Sequence, residues 1–267
     1  LQLNIHADQH AIVWDSTGDN VWLGNDGGLA YSDDEGFSYN TPQNKFPITQ
    51  YYNVDVSLSS PTVFIGGSQD NGITSTTNNG AAWRYNISWG GDGSGAAINP
   101  FNPLEMYMTI GVYNSPWAFR RHRTTNAGLN WVELNNGIDN SAQWYTRIKT
   151  DNANPVTVYT SSSGFMYYST NTGNNWIKSN PTEFPAWIFN FSVRKYNDTS
   201  IVYAITDSRN DGERIYLKVG SAAYMERSAG ISDGYAINAI TMHPVNSNIA
   251  FAVIKGLYSG SKVFKTT

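Results

Sequence analysis

Ser169-Thr170-Asn171-Thr172-Gly173-Asn174-Asn175-Trp176 sets out a hydroxyl, an amide two residues on, a glycine four on and an indole seven on. The same order recurs at Thr124, Asn126, Gly128 and Trp131, and at Thr76, Asn78, Gly80 and Trp83. With a carboxylate and a phenol it stands again at Ser32, Asp34, Gly36 and Tyr39. The four starts lie 44, 48 and 45 residues apart, and Lys265-Thr266-Thr267 opens another copy two periods after Ser169. The chemistry of the pattern is local. The Asp or Asn side chain caps backbone N–H groups of a tight turn. Glycine supplies positive φ, and the aromatic packs between neighbouring sheets.

A self-similar period of this length suits a four-stranded propeller blade. In the first unit His10–Trp14, Val21–Asn25, Leu29–Ser32 and Phe37–Asn40 read as four strands. Second strands recur at Val63–Gly67, Glu105–Ile110, Thr157–Ser161, Ile201–Thr206 and Asn248–Ile254, giving six blade equivalents in an all-β propeller. The fifth lacks the pattern, and Arg209-Asn210-Asp211-Gly212 turns the chain there. The sixth stops at its third strand. Leu1–Ile5 alternates apolar and polar residues and could close a six-bladed ring. The other reading, favoured by the interrupted motif at Thr266, is that residues 1–267 are part of a longer propeller whose remaining blades or domains lie elsewhere.

Composition agrees with the repeat. Aromatics make up 14% and charged residues 14% of 267 residues, against about 25% charged in an average domain. Such a chain favours short strands joined by turns over helices or disorder. Net charge is −4 and no basic run occurs, which argues against nucleic acid. Arg120-Arg121-His122-Arg123, the densest basic group, reads as an exposed strand edge. No segment approaches the length of a membrane span. The absence of cysteine excludes disulfides, thiol catalysis and thiolate metal sites.

The repeated pattern resembles the Asp-box, or BNR repeat, of sialidases, sortilin-type receptors, xyloglucanase-type glycoside hydrolases and secreted bacterial surface proteins. His6-Ala7-Asp8-Gln9-His10, Gly24-Asn25-Asp26-Gly27-Gly28, Gly66-Gly67-Ser68-Gln69-Asp70-Asn71-Gly72 and Gly90-Gly91-Asp92-Gly93 resemble a bacterial subgroup whose members often carry a C-terminal sorting domain. The resemblance implies a propeller fold and a secreted or cell-surface location in a bacterium. It implies no single activity. A sialidase is disfavoured, because it needs three arginines converging on a carboxylate and none opens the first blade.

Candidate chemistry gathers on one propeller face, the one bearing the loops from second to third strands and from each outer strand to the next inner strand. Asp26 and Asp70 each lie six residues before a repeat start, in equivalent loops of adjacent blades. His6, Asp8 and His10 lead into the first inner strand, and Asp92 into the third. Three readings stand. Asp26, Asp70 or Asp92 could pair for glycosidic cleavage. His6-x-Asp8-x-His10 alternates so as to aim three ligands one way, and with Asp26 could hold a divalent cation such as Ca²⁺ or Zn²⁺. Or these groups cap turns. Trp117, Trp144 and Asn71 are the candidates for ligand contact, since exposed rings stack on sugars. The function expected is recognition of a polysaccharide or protein ligand. A xyloglucanase-like hydrolase and a structural scaffold are the alternatives.

Overall fold

The four repeated turns close with one shared set of hydrogen bonds. In the computed structural model, which describes residues 5–6, 8–40, 49–86, 91–112, 118–139, 146–207, 213–231, 235–256 and 260–266, Ser32 Oγ donates to Asp34 Oδ1 at 2.7 Å and accepts from Gly36 N at 2.8 Å. Asp34 Oδ1 then accepts from Ser38 N at 2.7 Å. Thr76–Asn78–Gly80–Ala82, Thr124–Asn126–Gly128–Asn130 and Ser169–Asn171–Gly173–Asn175 repeat this, with every such bond between 2.8 and 3.1 Å. Positive φ falls on two residues per turn: Glu35 and Gly36, Asn79 and Gly80, Ala127 and Gly128, Thr172 and Gly173. That is the type I′ geometry of tight hairpins. The glycine alone does not satisfy it.

In blades two, three and four these turns lead from the third strand to the fourth, within a set of six antiparallel sheets of three or four strands. The first holds β1 (Gln9–Trp14), β2 (Val21–Asn25) and β3 (Gly28–Ser32). The second holds β4 (Asn53–Val56), β5 (Phe64–Ser68), β6 (Gly72–Thr76) and β7 (Arg84–Asn86). The third holds β8 (Gly93–Asn99), β9 (Asn102–Val112), β10 (Ala118–Thr124) and β11 (Val132–Glu133). The fourth holds β12 (Ile148–Thr150), β13 (Val158–Ser162), β14 (Phe165–Ser169) and β15 (Ile177–Lys178). The fifth holds β16 (Trp187–Tyr196), β17 (Thr199–Asp207), β18 (Arg214–Val219) and β19 (Met225–Glu226), and the sixth β20 (Ala236–Met242), β21 (Ala250–Lys255) and β22 (Val263–Lys265). The expected second strands stand within a few residues of β5, β9, β13, β17 and β21. This is the expected all-β propeller architecture. Leu1–Asn4, proposed to close the ring, lie outside the described residues.

Inner strands touch in chain order from blade two to blade six. Side chains on them cap the backbone of the neighbour. Asn53 and Asp55 accept from Ala96 N and Ile98 N, Thr150 donates to Ile98 O, and Asn152 accepts from Lys195 N. Apolar clusters fill the wedges between blades, such as Tyr107, Leu134, Ile148, Val158, Tyr167 and Trp176 between blades three and four.

Three expectations are corrected. Phe37–Asn40 is not a strand: only Asn40 bridges Tyr31, and Phe37, next to the turn, is 87% exposed. Arg120–Arg123 is not an exposed edge, because β11 covers it. Arg121 is buried and its guanidinium donates to Phe119 O, Thr160 Oγ1 and Ser161 O, tying blade three to blade four. Arg209–Gly212, expected to turn the chain in the fifth blade, lie outside the described residues; the turn equivalent to the repeats there is Val219–Tyr224, where Ala222 N donates to Val219 O at 3.1 Å. Tyr224 takes the indole's place, set edge-on to Phe184 at 5.1 Å. The repeat aromatics are also unequal. Trp176 is 4% exposed, whereas Trp83 is 48% exposed, because no strand pair among the described residues packs blade one extensively on blade two.

Candidate functional site

Blade one meets blade two through its loops. The β2–β3 turn carries Asp26 and the β5–β6 turn carries Asp70, the equivalent positions expected from the repeat. Asn71 Nδ2 donates to Asp26 O at 3.1 Å and to Gln69 O at 3.1 Å, so its amide fastens one loop to the other. Asp70 sits at φ 56° and Asp8 at φ 59°. Asp tolerates this left-handed backbone better than most residues. Ser163 takes φ 52° at the same place in blade four, so the turn recurs while the carboxylate does not.

The loops bring Asp8, Asp26 and Asp70 together: one carboxylate oxygen from each lies within 4.8 Å of the others. Asp92, on the approach to β8, is 1% exposed, and its Oδ1 accepts from Asp70 N at 2.8 Å. It holds the Asp70 loop from behind and does not reach the open face with the other three. His10 Nε2 bonds Asp26 Oδ1. His6 lies against Gly27, where a β-carbon would meet its ring and Cβ at 2.7 Å. Strand β1 begins at Gln9, so Asp8 precedes it, and the alternation expected for His6-x-Asp8-x-His10 does not run through all three. The carboxylates, rather than that histidine-flanked triplet, form the grouping with ligand spacing. Their donors are all oxygens, a set that suits a hard cation such as Ca²⁺ better than Zn²⁺.

The electrostatics divide the pair. The His10 hydrogen bond, then the contact with Asp70, holds the Asp26 carboxyl below its usual range. Burial, then the Asp26, Asp92 and Asp8 charges, pushes Asp70 up to about 6. Asp70 Oδ2 is buried without a donor. It gains a partner when Asp70 is protonated, because the acid O–H can then donate to the Asp26 carboxylate. Folding therefore raises this pKa above 3.8. Its contribution to stability is full below about pH 4 and is lost as pH rises through about 6. Asp70→Asn is expected to raise the thermal midpoint at pH 7 to 8 and leave it unchanged near pH 4. An equal shift at both pH values would refute the raised pKa.

Trp117 and Trp144, the expected stacking residues, lie outside the described residues. Trp187, at the start of β16 on the same face, is 47% exposed and pairs across the sheet with Asp207. Across Asp207, whose charge it feels, stands Glu213, raised to about 7 chiefly by burial, with Oε2 buried and unpartnered. Nothing in the sequence announces this second acidic spot, because the repeat that aligns Asp26 with Asp70 is missing from the fifth blade.

No family model matches the chain, and no curated protein does. Among solved structures, an ancestral GH74 enzyme superposes with a TM-score of 0.66 at 15% identity, over 97% of this chain and 36% of its own. The GH74 xyloglucanase from Xanthomonas campestris gives 0.53 at 14% identity, over 91% and 43%. YCF48 bound to D1 peptide gives 0.54 at 13% identity, over 79% and 62%. The chain thus spans about a third of the length of the first of these. At such identities the likeness shows a shared propeller fold.

Proposed function

We propose that the chain is a recognition propeller of an exported or cell-surface bacterial protein, binding a polysaccharide or protein ligand across the junction of blades one and two. The observation that carries this reading is the convergence of Asp8, Asp26 and Asp70 on the loop face. Carboxylates in open loops accept hydrogen bonds from sugar hydroxyls or pair with basic side chains. Asn71 and Asp92 supply the rigidity that keeps them grouped. Trp187 offers a ring on the same face. The Asp-box resemblance and the propeller neighbours, which include both glycoside hydrolases and a peptide-bound protein, fit this role.

One observation favours a second reading, glycoside hydrolysis of the xyloglucanase kind. Asp26 is held ionised beside Asp70, which keeps its proton to about pH 6, and a carboxyl pair with split pKa values supplies the acid and the base that glycosidic cleavage needs. Native electrophoresis through gels containing plant and microbial polysaccharides tests both. Retardation by one polymer, lost in Asp26→Asn and reduced in Trp187→Ala, is expected. Shortening of that polymer by the wild type but not by Asp26→Asn would move the assignment to hydrolysis. Absence of retardation by every polymer would sink the glycan ligand and leave a protein ligand.

A further inference from the structure

After its fourth strand, blade three runs Leu134-Asn135-Asn136-Gly137-Ile138. Leu134 N donates to Arg121 O at 2.7 Å, Ile138 N to Asn135 O at 3.0 Å, and Asn135 Oδ1 accepts from Arg121 N. Blade five repeats the segment as Arg227-Ser228-Ala229-Gly230-Ile231. Arg227 N donates to Ile215 O at 2.7 Å, Ile231 N to Ser228 O at 3.0 Å, and Ser228 Oγ accepts from Ile215 N. Gly137 has φ 90° and Gly230 φ 89°. The two segments are one structure.

Their surroundings differ in one respect. Blade three's segment receives Trp176 from blade four: Trp176 N donates to Asn136 O at 2.9 Å, Nε1 donates to Leu134 O at 2.7 Å, and a β-carbon on Gly137 would meet Trp176 O at 2.4 Å. Around the indole lie Tyr107, Ile148, Val158 and Tyr167. Register places Tyr203, Ile240, Ala250 and Phe264 at the matching positions between blades five and six. There a β-carbon on Gly230 would meet nothing within 4 Å. These residues line a cavity of about 360 Å³. Between blades four and five the same place is filled by Tyr224, whose hydroxyl reaches Ser179 Oγ at 3.2 Å. The cavity borders β22, the last strand of its sheet among the described residues.

We propose that this cavity is a docking site for an indole-bearing β-strand from outside residues 1–267, laid antiparallel along β22. Its indole N–H donates to Arg227 O and its backbone N–H to Ala229 O, as Trp176 does to Leu134 and Asn136. Strand addition of this kind takes affinity from the main chain and specificity from the side-chain seat. Arg227 and Lys265 at the cavity wall favour an acidic residue beside the indole. The proposal is independent of the loop-face reading.

The test uses a labelled peptide copying residues 169–179, titrated with the 267-residue chain and followed by fluorescence anisotropy. Saturable binding is expected, weakened about tenfold or more when the peptide's tryptophan is alanine, as loss of a buried ring implies. Ala229→Trp, at an exposed wall position, is expected to plug the seat, and Ala229→Glu to weaken binding should the larger residue disturb folding. A 5-fluorotryptophan label on the peptide should shift its ¹⁹F resonance on binding. Absence of saturable binding, equal binding of the two peptides, or indifference to both wall substitutions would overturn the proposal. So would self-association of the chain dispersed by Ala229→Glu, since a second copy would then fill the seat.

Discussion

Trp176→Ala is expected to cost about 3–5 kcal/mol of unfolding free energy, the range for truncating a fully buried aromatic. The ring is 4% exposed in the wedge between blades three and four. Three losses combine. The indole leaves the cluster of Tyr107, Leu134, Ile148, Val158 and Tyr167. Leu134 O loses its indole donor. The vacated volume cannot collapse, because the repeated turn at Ser169–Asn175 and the β14–β15 pairing fix the blade-four wall, and the Leu134 N bond to Arg121 O fixes the blade-three wall. Trp83→Ala removes the same atoms from the same place in the repeat, yet should cost only about 1 kcal/mol, since that ring is half exposed before it is removed. Urea unfolding of the two variants, followed by circular dichroism, gives the comparison. Equal costs would mean that the turn, and not the wedge, is what the indole stabilises.

That contrast marks how far sequence carries the fold. The repeat spacing locates the second strands and outer turns because each turn is closed by side chains inside an eight-residue window, as at Thr124, Asn126 and Gly128. What lies between blades is not encoded in that window. Phe37–Asn40 looks like a strand by alternation, but the turn places Phe37 in solvent. Tyr224 escapes notice because the fifth blade keeps the seat while losing the hydroxyl, amide and glycine that announce it. A second recurring device was also overlooked, the turn between first and second strands. Asn99, Asp151 and His243 each accept from a backbone N–H two residues on, within segments that share little but proline and asparagine. At the loop face, equivalence by position did bring Asp26 and Asp70 together. Asp8 joined them through a left-handed backbone that no alternation pattern shows, and Asp92 turned inward because Asp70 N needed an acceptor.

Gly93→Ala should be the variant that couples fold to site most strongly. A β-carbon there would stand 2.1 Å from Gly72 O and 2.7 Å from Gly72 C, and one on Gly67 would reach Gly93 C at 2.7 Å. These are backbone atoms and cannot rotate away, so blades two and three must part where their inner edges meet. The expected cost is about 3 kcal/mol, the upper end of ordinary overpacking. The displacement falls next to Asp92, which holds Asp70 N, and next to Gly91, whose carbonyl accepts from Gly72 N at 3.0 Å. With that anchorage loosened, Asp70 should leave Asp8 and Asp26, and its pKa should fall from about 6 toward 3.8. Gly24→Ala is the control, because its new β-carbon would make only ordinary contacts, the shortest 3.6 Å to Ala11 Cβ. It should change stability by no more than about 0.5 kcal/mol. Thermal melts and a carboxyl NMR titration of both variants decide the matter. Should Gly93→Ala lose stability while Asp70 still titrates near 6, the carboxylate grouping would belong to the loops alone. Should it match Gly24→Ala in both respects, the close approach of the blades at Gly72 and Gly93 would not be what positions the site.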